Sequence, residues 1–148
     1  MKQLALALLI FFLAPSLCLA QAAKKIPVAV NHDGGDQVGQ SVAVALKEAI
    51  RRSQSFFLVD NDLKQPRIVV QLVSVDSSIG ETSGLASAIA IVIVYDSLQT
   101  PGNGIFVTTV ILSCGSNQVE SCAKNTLPHI DRAVEYLRTQ WPTLWETL

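Results

Sequence analysis

Runs of apolar residues separated by short polar segments set the pattern of this chain, and five of these runs predict strands. Each is short, rich in β-branched residues and bounded by turn residues. They cover residues 26–30, 55–60, 67–76, 86–96 and 105–114. Pro66 marks the turn before the third run, and Pro-Gly-Asn-Gly at 101–104 marks a hairpin between the last two.

Two other segments place apolar residues at steps of three and four, which is the spacing of one face of an α-helix. The first spans residues 37–52 and has Asp36 as its expected N-cap. The second spans residues 119–141, where Asn117 and Glu120 have the spacing of a capping box. Pro128 predicts a kink or a restart within this second helix, with its apolar face preserved.

The resulting order is β-α-β-β-β-β-α, which is typical of an α+β (α/β two-layer) fold. We expect one five-stranded mixed sheet with two helices on one face. The first βαβ unit would supply parallel strands, and the later strands would form an antiparallel meander. The pattern leaves the order of the strands in the sheet open.

The first 20 residues differ from the rest of the chain and predict an export signal. Lys2 gives a positive start, an apolar run follows, and small residues allow cleavage after Ala20 or Ala22. A membrane anchor is the alternative, but Pro15 leaves the run shorter than the roughly 20 apolar residues of a span. We therefore expect a signal peptide at 1–20, a tether at 21–25, a single domain at 26–142 and a tail at 143–148. The protein would be periplasmic or secreted, with no membrane span after cleavage.

The charge of the chain is close to neutral, with a formal net charge of −1. Its basic residues are scattered rather than clustered, which argues against binding to nucleic acid.

Cys114 and Cys122 are the two cysteines outside the export signal. In an exported chain they predict one disulfide bond, which would tie the last strand to the start of the second helix. A redox pair would favour Cys-x-x-Cys, and a zinc site would need further ligands, for which the whole chain offers only His32 and His129 as histidines.

The loop at 31–41 links the first strand to the first helix, a layout that holds phosphate in some proteins. This loop has no lysine and brings carboxylates, which disfavours phosphate. His32, Asp33 and Asp36 are candidate metal ligands, but they do not match a calcium loop and no nearby residue completes the set. We interpret the loop as a turn in which two glycines allow positive φ and Asp36 caps the helix.

No combination of residues in the sequence predicts catalysis. Gly-x-Ser-x-Gly is absent, and carboxylate pairs fall in loops that have no apolar wall to raise a pKa. We predict no catalytic residues and no cofactor, and we expect that the protein is not an enzyme. The alternative is a small ligand- or metal-binding, hydrolase-like protein that uses the 31–41 loop.

The strand at 86–96 is apolar on both faces, whereas a strand with one wet face should alternate. One face carries three isoleucines and Tyr95, and the other carries Ala88, Ala90, Val92 and Val94. Two helices cover only one face of a sheet, so we predict that the isoleucine face packs under them. The Ala/Val face would then form an interface with another protein or with a second copy. In the alternative, loops and the 143–148 tail cover this face.

The segment VGQSVAVALKEAIRRSQSFFLVD, at residues 38–60, resembles the helix-then-strand unit in the amino-terminal domain of TolB and in CsgG-like and LpoB-like modules of the bacterial envelope. The closing segment HIDRAVEYLRTQW is similar in placement to the closing helix of those domains. The chain departs from them in lacking propeller or pore-forming segments and in carrying Cys114 and Cys122. The resemblance implies an envelope protein that works by binding partners, and it transfers no binding residue to a numbered position.

Together these observations predict a small, exported, non-catalytic protein-binding module of the bacterial envelope. Its partner would be another envelope protein or a second copy of the chain, in a homodimer formed through the open sheet face.

Overall fold

The structure is a computed structural model that describes residues 24–60, 65–77, 80, 84–97, 104–146 and 148. The predicted signal peptide, both cleavage positions and residues 21–23 of the tether lie outside the described residues. The elements in chain order are β1 (Ile26–Asp33), α1 (Gln37–Arg52), β2 (Phe56–Leu58), β3 (Arg67–Asp76), β4 (Ala86–Asp96), β5 (Ile105–Gly115), α2 (Val119–Gln140) and α3 (Pro142–Trp145).

The strands form the predicted five-stranded mixed sheet of an α+β fold, and their order, which the sequence pattern left open, is β2-β1-β3-β4-β5. β1 pairs in parallel with both β2 and β3, and β4 pairs antiparallel with β3 and β5. The helix α1 forms the crossover between the parallel strands β1 and β2. The two edges differ, since β2 has three residues and β5 has eleven.

The core lies between one face of the sheet and the two long helices. On β4, Ile89, Ile91, Ile93 and Tyr95 are fully buried, so the isoleucine face packs under the helices as predicted. α1 contributes Val42, Leu46 and Ile50, and α2 contributes Ile130 and Leu137. Burying a side chain of this size stabilises the fold by roughly 1.5–3 kcal/mol. Among the described residues, no helix is both long enough and apolar enough to cross a membrane.

The start of α2 differs from the predicted capping box. Gln118, not Asn117, is the N-cap, and its side chain makes no capping hydrogen bond. The turn from β5 is tight, because Gln118 N–H donates to Gly115 O at 2.9 Å. The helix therefore begins one residue later than the capping pattern requires.

The helix α2 runs through Pro128 as one element, without the restart that was one predicted outcome. A proline inside a helix removes one backbone hydrogen bond. The apolar face nevertheless continues across it, from Ala123 to Ile130 and Leu137, all of which are buried.

The predicted tail overlaps the short helix α3, which begins at Pro142. Leu144 and Trp145 pack against the core, and Leu148 is buried. Tyr95 Oη donates to Leu144 O at 3.5 Å. Because Tyr95 faces the helices, these residues lie on the helix side and do not cover the opposite face of the sheet.

Candidate functional site

The strand β1 is longer than predicted, and this changes where the candidate ligands lie. It continues to Asp33 because its parallel pairing with β3 continues, with His32 opposite Leu72 and Asp33 opposite Val73. His32 and Asp33 are thus strand residues and not part of the predicted 31–41 loop. Neighbouring residues of a strand point to opposite faces, so the two side chains diverge.

Asp36 holds the end of the sheet to the start of α1. It is the predicted N-cap, and its Oδ2 accepts a hydrogen bond from Gly39 N–H at 2.6 Å. Ser74 Oγ donates to Oδ1, and Ser87 Oγ donates to Oδ2. Both serines are almost fully buried, on β3 and β4 respectively. The carboxylate therefore satisfies three donors from three different elements.

His32 completes this polar cluster, with Nε2 2.7 Å from Ser74 Oγ. Because the Ser74 hydroxyl donates its proton to Asp36, it accepts from His32, which places a proton on Nε2. In a catalytic triad the histidine lies between the serine and the carboxylate. Here the serine occupies the middle position, so its proton is held by the carboxylate.

The pKa of Asp36 is lowered from its usual value of 3.8. Burial alone would raise the pKa, but the hydrogen bonds from Ser74, Ser87 and Gly39 N–H favour the charged form and outweigh it. Asp36 is therefore an ionised cap, which also suits the positive end of the helix dipole.

The three candidate metal ligands do not come together. Asp33 is exposed, while the Asp36 carboxylate is committed to hydrogen bonds. Among the described residues, no group of three or more His, Cys, Asp or Glu side chains could hold a metal ion. Of the two glycines in the turn, Gly34 has a positive φ of 144° and Gly35 does not.

Sequence reasoning missed Ser74 and Ser87. Both occupy inward positions in strands whose other buried inward residues are apolar. The signal that could have identified them is a serine among the apolar inward positions of a strand, in a chain that also has an acidic residue as a helix N-cap.

The opposite face of the sheet, over β3, β4 and β5, is open. We define the open face by Ala88, Ala90, Val92 and Val94 of β4 and their outward neighbours on β3 and β5. The register places Ala90 between Val73 and Ile111, and Val94 between Val69 and Phe106. The four β4 residues are half-buried, and four neighbours are exposed: Ile111 by 78%, Val75 by 60%, Phe106 by 59% and Val73 by 44%.

Polar residues lie in the middle of the open face and at one of its ends. A row that crosses its middle places Val92 between Gln71 and Thr109. At one end Arg67 Nη2 lies 2.9 Å from Asp96 Oδ2, in an ion pair that is mostly shielded from solvent. On the same side of the sheet over β1, Ala29 is fully buried, whereas Asp33 is exposed.

A disulfide bond connects the end of β5 to α2. It joins Cys114 to Cys122, whose Cα atoms are 6.2 Å apart, and it is the predicted bond between the last strand and the second helix.

No protein-family model and no curated protein matches the chain. Among solved structures, the chain is similar to TolB from Acinetobacter baumannii, with 11% sequence identity and a TM-score of 0.48. The match covers 78% of this chain and 30% of the TolB chain, so this chain spans less than a third of that protein's length. TolB is one of the proteins named in the sequence resemblance, and the CsgG-like and LpoB-like part of that resemblance stays a prediction.

Proposed function

We propose that this chain is a small, non-catalytic protein-binding module that works in the periplasm as part of the bacterial envelope. It binds a partner protein through the open face of its sheet. One observation carries the proposal: Ile111, Val75, Phe106 and Val73 stay exposed on one surface although each is a large apolar side chain.

These four side chains lie on one face of the sheet, and this grouping supports an interface more strongly than four separate exposed residues would. Single apolar residues on a surface are common, but a contiguous apolar patch is typical of a binding site. Here they lie on β3 and β5, on either side of the half-buried Ala88, Ala90, Val92 and Val94 of β4. A partner that covered them would gain roughly 25 cal/mol for each Å² of apolar surface removed from water.

Support for the compartment comes from the start of the chain and from its cysteines. The N-terminal sequence is typical of an export signal. The Cys114–Cys122 disulfide suits an oxidising compartment such as the periplasm.

The polar cluster at the end of β1 favours a structural role over the hydrolase-like alternative. Ser74 is 2% exposed, so little of its surface is open to a substrate. The Ser74 hydroxyl also donates its proton in a hydrogen bond to the Asp36 carboxylate, and not to His32, which would be the base in a catalytic triad.

The proposal can be tested by placing a charge on the open face. Val75→Lys introduces an ammonium group at a position that is 60% exposed, and Val44→Lys makes the same change on α1 at a position that is 62% exposed. The protein, produced from its complete sequence, would be immobilised and used to capture proteins from a periplasmic extract of the source organism. The free energy of unfolding of both variants should lie within about 0.5 kcal/mol of that of the unchanged protein, because both sites are exposed.

We expect Val75→Lys to reduce the captured partner by at least tenfold, since a lysine buried against an apolar partner costs well over 1.4 kcal/mol. Val44→Lys should capture as much as the unchanged protein. Equal capture by all three proteins would show that the open face is not the binding surface.

A further inference from the structure

The strand β5 is a long edge with no described strand on its outer side. It has eleven residues and is paired only with β4 among the strands of the sheet. Its sequence, IFVTTVILSCG, contains neither a charged residue nor a proline. The opposite edge, β2, is only three residues long.

Proteins usually protect a long edge strand with charges, proline, a bulge or a cover, because its backbone N–H and C=O groups can pair with another chain. One register irregularity, opposite Ile93 and Val94, lies near the start of β5. Beyond it, residues 108–115 keep a regular register with β4 and contain no charge and no proline. This length is suited to accept an added strand.

A groove runs beside this edge, between β5 and α2. Its volume is about 450 Å³, and its lining includes residues 107–110 of β5 and His129, Arg132, Ala133 and Tyr136 of α2. A strand added to β5 would direct alternate side chains to the helix side of the sheet. Those side chains would enter this groove.

Arg132 sets the charge of the groove. It donates to His129 Nδ1 at 2.8 Å and to Pro128 O at 3.3 Å, which holds the guanidinium near the groove wall. Every other arginine of the chain pairs with a carboxylate: Arg51 and Arg52 with Glu48, Arg67 with Asp96, and Arg138 with Glu135. Among the described residues, no carboxylate forms an ion pair with Arg132, and none lines the groove.

We propose that β5 binds an extended segment of a partner protein as an added strand, with alternate apolar side chains in the groove and a carboxylate against Arg132. The inference rests on the proposed function, because it assumes that the chain binds a partner protein, and it adds the β5 edge to the open face as a second contact with that partner. The backbone of β5 would supply hydrogen bonds that do not depend on side chains. The groove and Arg132 would supply the specificity.

A second copy of this chain fits the edge less well than an acidic segment. Two β5 strands paired about a two-fold axis would place two α2 helices on the same side of the joined sheet. Each helix would bring its own Arg132 to the junction, and neither β5 strand has a carboxylate to pair with it. An acidic segment gives the arginine an opposite charge instead.

The test uses a synthetic peptide of about ten residues that alternates valine and threonine and has one central glutamate. A second peptide has lysine in place of the glutamate. Both are titrated into the complete protein, and binding is followed by NMR shifts and amide hydrogen exchange. The variants are Arg132→Glu and, as a matched control on the same helix outside the groove, Lys124→Glu.

We expect the glutamate peptide to bind the unchanged protein roughly fivefold more tightly than the lysine peptide, which is the size of a partly exposed ion pair. Alternate amides of β5 should gain protection from exchange. Arg132→Glu should reverse the order of the two peptides, and Lys124→Glu should leave it unchanged.

Three results would overturn the inference. They are an absence of any change in β5 at millimolar peptide, shifts confined to the open face around Val75, and protection of β5 that rises with protein concentration without peptide. The last would assign the edge to a second copy. If any of these is found while Val75→Lys still reduces partner capture, the proposed function stands and only the docking of a strand at β5 is wrong.

Discussion

Gly39 lies where α1 approaches β3, and the absence of a side chain there lets the two elements meet. A Cβ atom at this position would overlap the Oγ and Cβ atoms of Ser74 and would lie 2.9 Å from Asp36 Oδ2. At Gly35, four residues earlier, an added Cβ atom would have no other atom within 4 Å. The two glycines therefore have different roles in the same turn and helix start.

Gly39→Ala tests this close approach. Alanine should favour the helix by about 1 kcal/mol, but overlap with a packed strand costs about 1–3 kcal/mol and the Ser74–Asp36 hydrogen bond would also be strained. We expect a net loss of about 2 kcal/mol in the free energy of unfolding, measured in urea. Gly35→Ala should stay within about 0.5 kcal/mol of the unchanged protein. Equal stability of the two variants would mean that α1 shifts freely away from β3.

Asp36 makes stability depend on pH in a defined direction. Its folded pKa is below the usual 3.8, so the folded state favours the charged form. The stabilisation is complete above the unfolded pKa and is lost as the pH falls through the lower, folded pKa. We expect Asp36→Asn to be less stable than the unchanged protein at pH 7. Below about pH 4, its free energy of unfolding should fall less steeply with decreasing pH than that of the unchanged protein. Asp33→Asn, at an exposed carboxylate, is the control, and an equal pH dependence in all three proteins would contradict this role of Asp36.

At the scale of elements, the bounds of α1, β3 and β4 match those predicted from periodicity, whereas β1, β2 and the start of α2 differ, and β2 has three residues where 55–60 was predicted. β1 gained three residues because its partner β3 continues beside it. α2 began one residue late because the tight turn from β5 determines its start. Pairing and turn geometry come from residues distant in the chain or from backbone hydrogen bonds, and neither appears in the pattern of one segment.

The disulfide acts at this scale, since it joins the end of β5 to the first turn of α2. The two cysteines are eight residues apart in sequence. Closing a loop of this size stabilises the fold by about 2–3 kcal/mol in the chain-entropy model. We expect Cys114→Ala combined with Cys122→Ala to lower the free energy of unfolding by that amount, measured in denaturant. Addition of a thiol reductant should destabilise the unchanged protein similarly and should not affect the double variant, and a reductant effect on the variant would point to another cause.

At the scale of the whole molecule, the order of the strands decides which surfaces remain available. The two long helices cover one face, and the order β2-β1-β3-β4-β5 leaves the other face open and β5 at an edge. The Val75→Lys experiment tests the open face, and the Arg132→Glu experiment tests the edge. Because the two substitutions lie on different elements, their effects on binding can be separated.

The sequence by itself determined the α+β class, the two amphipathic helices, the Asp36 cap, the pairing of the two cysteines and the two-sided apolar character of β4. Each of these depends on residue type and on spacing within one segment. Only the tertiary structure decided the strand order, the long free edge at β5, and the contacts of Asp36 with Ser74 and Ser87, 38 and 51 residues away along the chain. It also decided that Asp33 and His32 diverge and that Arg132 lines the groove between β5 and α2. These features depend on which segments pack together, and packing is set by the apolar faces of all segments jointly and not by any one of them.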